Sequence, residues 1–75
     1  MSSIYSYEYQ SIIKTLKARR IELKITQAQL AQALGKPQSF VSKIESGERR
    51  LDIIEFVHIA RQLSLDINEV LEKIR

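Results

Sequence analysis

Residues 27 to 46, QAQLAQALGKPQSFVSKIES, leave this chain few ways to fold. Leu30, Ala31 and Leu34 form an i, i+1, i+4 stripe, so the first half of the stretch reads as a short helix from Gln27 to Leu34 with one apolar side. Gly35 follows, where a residue without a Cβ lets the chain turn back. Pro37 opens a second segment that runs to Ser46 before Gly47 ends it, since proline is tolerated in a first helical turn. Pro37, Val41 and Ile44 are its expected buried stripe, and Gln38, Ser39, Ser42, Lys43 and Ser46 its outer face. A merely solvated face would favour Glu, Lys and Ala, whereas serine is a mediocre helix former. Short hydrogen-bonding groups on a rigid exposed rod suit base edges and phosphates.

With that spacing the segment resembles the helix-turn-helix of the Cro/C1-type repressors, the XRE family. The matching positions are Gln27 at the start of the first helix, Ala31 at the close helix contact and Gly35 in the turn. Val41 and Ile44 match the buried positions of the recognition helix, followed by Glu45 and Gly47. Arg20 before the motif and the run GERRLD after it also fit, so the resemblance extends over about residues 10 to 65. It implies an all-α, compact five-helix bundle of the lambda-repressor-like DNA-binding type. The family commonly places Ser or Thr before the recognition helix as a cap. Here that position is Pro37, which predicts a tighter or slightly rotated first turn.

The rest of the chain agrees with an all-α bundle. Seventy-five residues suffice for one small domain, 1–75, close to the size at which a single core can still hold a fold. A first helix is expected from Ser6–Glu8 to about Lys24, with Tyr9, Ile12, Ile13, Leu16 and Leu23 on one side. Arg20 falls in that apolar register, and a charge there needs a partner or must snorkel to water along its stem. Glu45, one position after buried Ile44, is the candidate partner, and the resemblance implies the same ion pair. Three cap signals mark later helices: Thr26 with Gln29, Asp52 with Glu55, and Asp66 with Glu69. The fourth helix has Ile53, Phe56, Val57, Ala60 and Leu63 as its expected core stripe. The fifth, about residues 66–75, carries Ile67, Val70, Leu71 and Ile74. The alternating stretch Ile4-Tyr5-Ser6-Tyr7-Glu8-Tyr9 is too short to found a sheet.

Composition narrows the function classes. There is no cysteine, and the lone histidine, His58, has no His or Cys nearby and falls outside its helix's stripe, so no metal site or cofactor is expected. No stretch is long and apolar enough for a membrane span, and no signal-peptide pattern opens the chain, so a cytoplasmic protein without membrane contact is expected. An enzyme is not expected, because no convergent set of His, Cys, Asp or Glu and no glycine-rich phosphate loop is present. Residues 1–50 hold nine Lys or Arg against four Asp or Glu, while residues 51–75 hold three against five. The basic half contains the helix-turn-helix, as suits a chain with one face on a polyanion.

The docking implied by the motif assigns roles residue by residue. Gln38 can bond adenine N6 and N7 together, Ser39 can donate or accept beside it, and Lys43 can reach guanine or a phosphate. Backbone contacts are expected from Gln27 at a helix N-terminus, Lys36 in the turn, Ser42 and Ser46 along the recognition helix, and Arg49 and Arg50 after it. Phe40 lies between the two faces, where it can pack beneath the turn or touch a thymine methyl. The expected function is a sequence-specific double-stranded DNA-binding regulator of transcription, most simply a repressor, acting as a homodimer on a palindromic operator. Its expected dimer surface is Ile67, Val70, Leu71 and Ile74, with Tyr5 and Tyr7 as an alternative. An antitoxin that neutralises a toxin and autoregulates its operon is the rival reading, with a protein as its partner.

Overall fold

Four of the five helices in this structure, a computed structural model describing residues 6–74, begin at a polar side chain that takes up a free backbone N–H. Ser6 opens α1 (Tyr7–Glu22) by accepting from Tyr9 N–H. Thr26 opens α2 (Gln27–Leu34) with a full capping box, since Gln29 returns its side chain to the Thr26 N–H. Asp52 and Glu55 do the same for α4 (Ile53–Gln62). At α5 (Ile67–Glu72) Asp66 accepts from Asn68 N–H instead. The exception is α3 (Gln38–Ser46): Pro37 stands at its N-cap and makes no side-chain cap bond.

Helix ends repeat one motif four times. After α1, α2, α3 and α4 the chain passes through a left-handed residue, respectively Lys24, Gly35, Gly47 and Ser64. The next N–H then reaches back to a carbonyl five residues earlier: Ile25 to Arg20, Lys36 to Ala31, Glu48 to Lys43 and Leu65 to Ala60, at 2.8–3.1 Å. This pattern satisfies the orphan carbonyls of each last turn. Ile25 and Leu65 pack against the core, whereas Lys36 and Glu48 are exposed.

α2 packs on α3 and α4, and α1 on α3 and α5, around a core containing Leu16, Leu30, Val41, Ile44, Phe56, Leu63 and Val70. Leu63, Val41 and Val70 are the largest fully buried side chains, each contributing about 1.5–3 kcal/mol by transfer from water. Two of the polar ties that hold α1 over the rest come from its first and last turns. The Tyr9 hydroxyl accepts from Leu51 N–H at 2.9 Å, and Arg19 Nε donates to the Leu63 carbonyl at 3.0 Å.

Several expectations about burial are corrected. Pro37 is exposed, because it caps α3 from outside rather than entering its stripe. On α4 the buried set is Phe56, Ile59, Ala60 and Leu63; Ile53 is 68% exposed and Val57 half-buried. The stripe is therefore rotated towards Ile59, and it starts one turn later than the spacing predicts. Leu23 is 37% exposed past the end of α1. Among the described residues there is no strand, and no helix is long and apolar enough to cross a membrane. Ile4, Tyr5 and Arg75 lie outside the described residues; Tyr7 is exposed in the first turn of α1.

Candidate nucleic-acid interface

The outer face of α3 exists because its inner face is fully spent. Phe40, Val41 and Ile44 are buried, which turns Gln38, Ser39 and Lys43 outward, all exposed. Ser42 and Ser46 follow the same side with different environments. Ser42 is half-buried and donates to the Ser39 carbonyl at 3.3 Å, while Ser46 is exposed and donates to the Glu48 carboxylate at 2.9 Å. The first turn is tight, although α5, whose Asp66 does cap, also starts with a three-residue bond, from Glu69 N–H to the Asp66 carbonyl. Phe40 N–H donates to the Pro37 carbonyl three residues back, whereas Leu30 and Phe56 in α2 and α4 donate to their caps four residues back.

What fixes this helix to the body is the ion pair read from the register of Arg20. Arg20 is 8% exposed and meets Glu45 through two parallel bonds, Nε to Oε2 at 2.7 Å and Nη2 to Oε1 at 3.0 Å. Its Nη1 donates to the Ile25 carbonyl at 2.7 Å, so the guanidinium is also a brace for the turn between α1 and α2. Gln27 joins from α2, donating Nε2 to Glu45 Oε1 at 2.9 Å. One carboxylate on the recognition helix thus gathers groups from α1 and α2.

That last bond changes the expected part of Gln27. Its half-buried side chain is turned towards Glu45, leaving backbone N–H groups as what the N-terminus of α2 offers an anion. Arg49 departs further from expectation. Its guanidinium pairs with Glu55 through Nη1–Oε1 at 2.8 Å and Nη2–Oε2 at 2.9 Å, and lies 4.7 Å from the centroid of the Phe40 ring. The Glu55 hydrogen bonds hold Arg49 above its ordinary pKa. The same bonds hold the Glu55 carboxyl below the usual carboxylate range, against the opposing effect of its burial. Arg49 is therefore a cation already compensated by a carboxylate, with its side chain still 41% exposed. A sequence signal existed: Glu55 in the third position of a capping box points back towards the loop that carries Arg49.

The remaining basic groups are exposed. Lys36 lies with Nζ 5.4 Å from the Phe40 centroid, and the Arg50 guanidinium lies 5.9 Å from that of Tyr9. Phe40 is 9% exposed and packs beneath these cations, the first of the two readings open to it. Of the apolar residues expected at a dimer surface, Val70 is wholly buried in its own chain and unavailable to a partner. Ile67 and Ile74 are half-buried, and Leu71 is 38% exposed. A six-residue helix packed on α1 spends Val70 inward and keeps Leu71 outward. Among the described residues no group of three or more His, Cys, Asp or Glu is placed to hold a metal ion.

The helix-turn-helix family model matches residues 16–70. Among solved structures, an XRE-family like protein from Pseudomonas syringae pv. tomato str. DC3000 is similar, with a TM-score of 0.83 at 47% identity, covering 88% of this chain and 80% of that one. A comparison with curated proteins finds no match.

Proposed function

From membership of the XRE (Cro/C1-type) helix-turn-helix family, to which this chain belongs, we propose that it represses transcription as a homodimer on a palindromic operator. The observation that carries this reading is the exposed row Gln38, Ser39 and Lys43 on a helix whose other side is buried and whose orientation is set by Arg20 and Glu45. Such a helix enters the major groove with its first residues against base edges, and Gln38 and Ser39 are those residues. Lys43 reads a base or a phosphate one turn on. Lys36 and Arg50 hold the flanking phosphates, with Ser42, Ser46 and the α2 N-terminus at Gln27 as lesser backbone contacts. Occupying a promoter in this way excludes polymerase, which is repression in its simplest form.

Counterion release makes such binding steeply dependent on salt. A dimer neutralising about six phosphates should lose affinity with a log–log slope near −5. Fluorescence anisotropy on a duplex selected from a random pool checks this. Salt-insensitive binding, or equal affinity for random DNA, would defeat the regulator reading.

Pairing is supported by arithmetic of contacts, since one domain of this size reads too few base pairs for high specificity. Leu71, with the exposed remainders of Ile67 and Ile74, is the proposed seam. Two-fold pairing there would set recognition helices roughly 34 Å apart, one turn of duplex. Leu71→Glu should yield helical monomers that sediment at half the parent mass and lose specific affinity. A parent already monomeric at micromolar concentration, bound to a lone asymmetric half-site, would refute pairing.

A further inference from the structure

Among the described helices, the recognition helix is the one whose N-cap makes no side-chain bond, and its first turn starts from the tight Phe40–Pro37 backbone bond. A turn so lightly held would let Gln38 and Ser39 wander, and base readout requires them to be aimed. A tertiary contact takes the place of the missing cap. Phe40, third residue of α3, lies against the guanidinium of Arg49 at 4.7 Å from its ring centroid. Arg49 is in turn held on both terminal nitrogens by Glu55, third residue of α4. Glu55 is itself locked, because its Oε1 also accepts the Asp52 N–H that starts α4. The chain of contacts therefore runs from a rigid, fully capped helix start to an uncapped one.

We propose that Phe40, Arg49 and Glu55 form a clamp that sets the aim of Gln38 and Ser39, making Arg49 and Glu55 positioning residues for DNA sequence discrimination. Only a planar, forked cation can satisfy both ends, pairing edge-on with a carboxylate while lying near an aromatic ring; a lysine cannot. Because Glu55 neutralises Arg49, the pair adds little to the attraction for phosphate. Its position beside the first turn of α3 is what gives it a function. This inference rests on the DNA-reading function proposed above, and its test separates the two.

Glu55→Gln is the informative variant. A glutamine can still accept from Asp52 N–H and so keep α4 capped, but it loses the charged two-point grip on Arg49 and leaves the protein one unit more positive. If Arg49 merely anchored phosphate, releasing it would strengthen binding to every duplex alike. The clamp requires opposite signs: tighter binding to random DNA with a steeper salt slope, and a cognate-to-random ratio lowered by about tenfold. Arg49→Lys, which keeps the charge and loses the fork, should lower the same ratio without the gain on random DNA. Hydrogen exchange on the DNA-free protein gives a second readout. The Phe40 and Ser42 amides should exchange about tenfold faster in both variants, with Leu30 and Ala31 in α2 unchanged. An unaltered ratio in both variants, or exchange that is unchanged or accelerated evenly over all helices, overturns the clamp. A parent that does not distinguish selected from random DNA would instead overturn the proposed function, and the exchange rates would still decide whether the clamp holds the turn.

Discussion

Glu45→Ala should destabilise the protein by about 3 kcal/mol, the usual cost of removing one partner from a buried ion pair. The change leaves Arg20 at 8% exposure with only the Ile25 carbonyl among its observed partners, and it strips Gln27 of its acceptor. In a 75-residue chain that is a large part of total stability, so a thermal midpoint lower by well over ten degrees is expected. Replacing Arg20 and Glu45 together by apolar residues of similar size should cost less than Glu45→Ala alone, because no uncompensated charge remains. Calorimetry on the three proteins checks both statements. A Glu45→Ala midpoint within a degree or two of the parent would show that the Arg20 guanidinium finds water at no cost.

Gln38→Ala should behave in the opposite way, leaving stability alone and damaging recognition. The side chain is exposed, so melting should not move. At the cognate site the loss should be roughly 1–3 kcal/mol, up to more than a hundredfold in affinity, with relaxed preference at one base pair and nearly unchanged binding to random DNA. Arg50→Ala provides the contrast, weakening all sequences together and flattening the salt slope by about one unit. Binding measured on cognate, single-mismatch and random duplexes distinguishes the two patterns. Uniform losses in both variants would mean that Gln38 meets the backbone and that the helix docks in another register.

Much of the architecture was legible because its signals are local. Thr26 with Gln29 and Asp52 with Glu55 mark helix starts through the chemistry of free N–H groups, and α2 and α4 begin there. Gly35 and Gly47 mark two of the reversals. Arg20 was legible for a different reason: a charge in an apolar register must be compensated, and few carboxylates lie near core positions. What escaped was whatever depends on which of two plausible partners a side chain meets. An arginine after a recognition helix looks the same whether it faces a phosphate or Glu55. A glutamine at a helix start looks the same whether it faces solvent or Glu45. Val70 and Leu71 are adjacent and both apolar, and only the packing of α5 on α1 decides which turns inward. Local pattern fixes where helices are more readily than how far each is rotated, which is also why Ile59 rather than Ile53 closes the core.

The four chain reversals divide into two kinds, and the division bears on how such a protein can change over evolutionary time. The outer pair, at Lys24 and Ser64, carries ordinary residues in the left-handed conformation, followed by Ile25 and Leu65, which pack on the core. The inner pair, at Gly35 and Gly47, carries glycine and is followed by exposed Lys36 and Glu48. In the outer turns an apolar anchor holds a slightly unfavourable backbone; in the inner turns a permissive backbone makes an anchor unnecessary. The two positions flanking the recognition helix thereby place no apolar anchor in the core, and position 36 meets it only through the Lys36 ammonium beside the Phe40 ring. Lineages can exchange charge at 36 and 48, and so retune electrostatic attraction to a duplex, while losing only surface contacts, the Lys36 ammonium beside Phe40 and the Ser46 hydroxyl on Glu48.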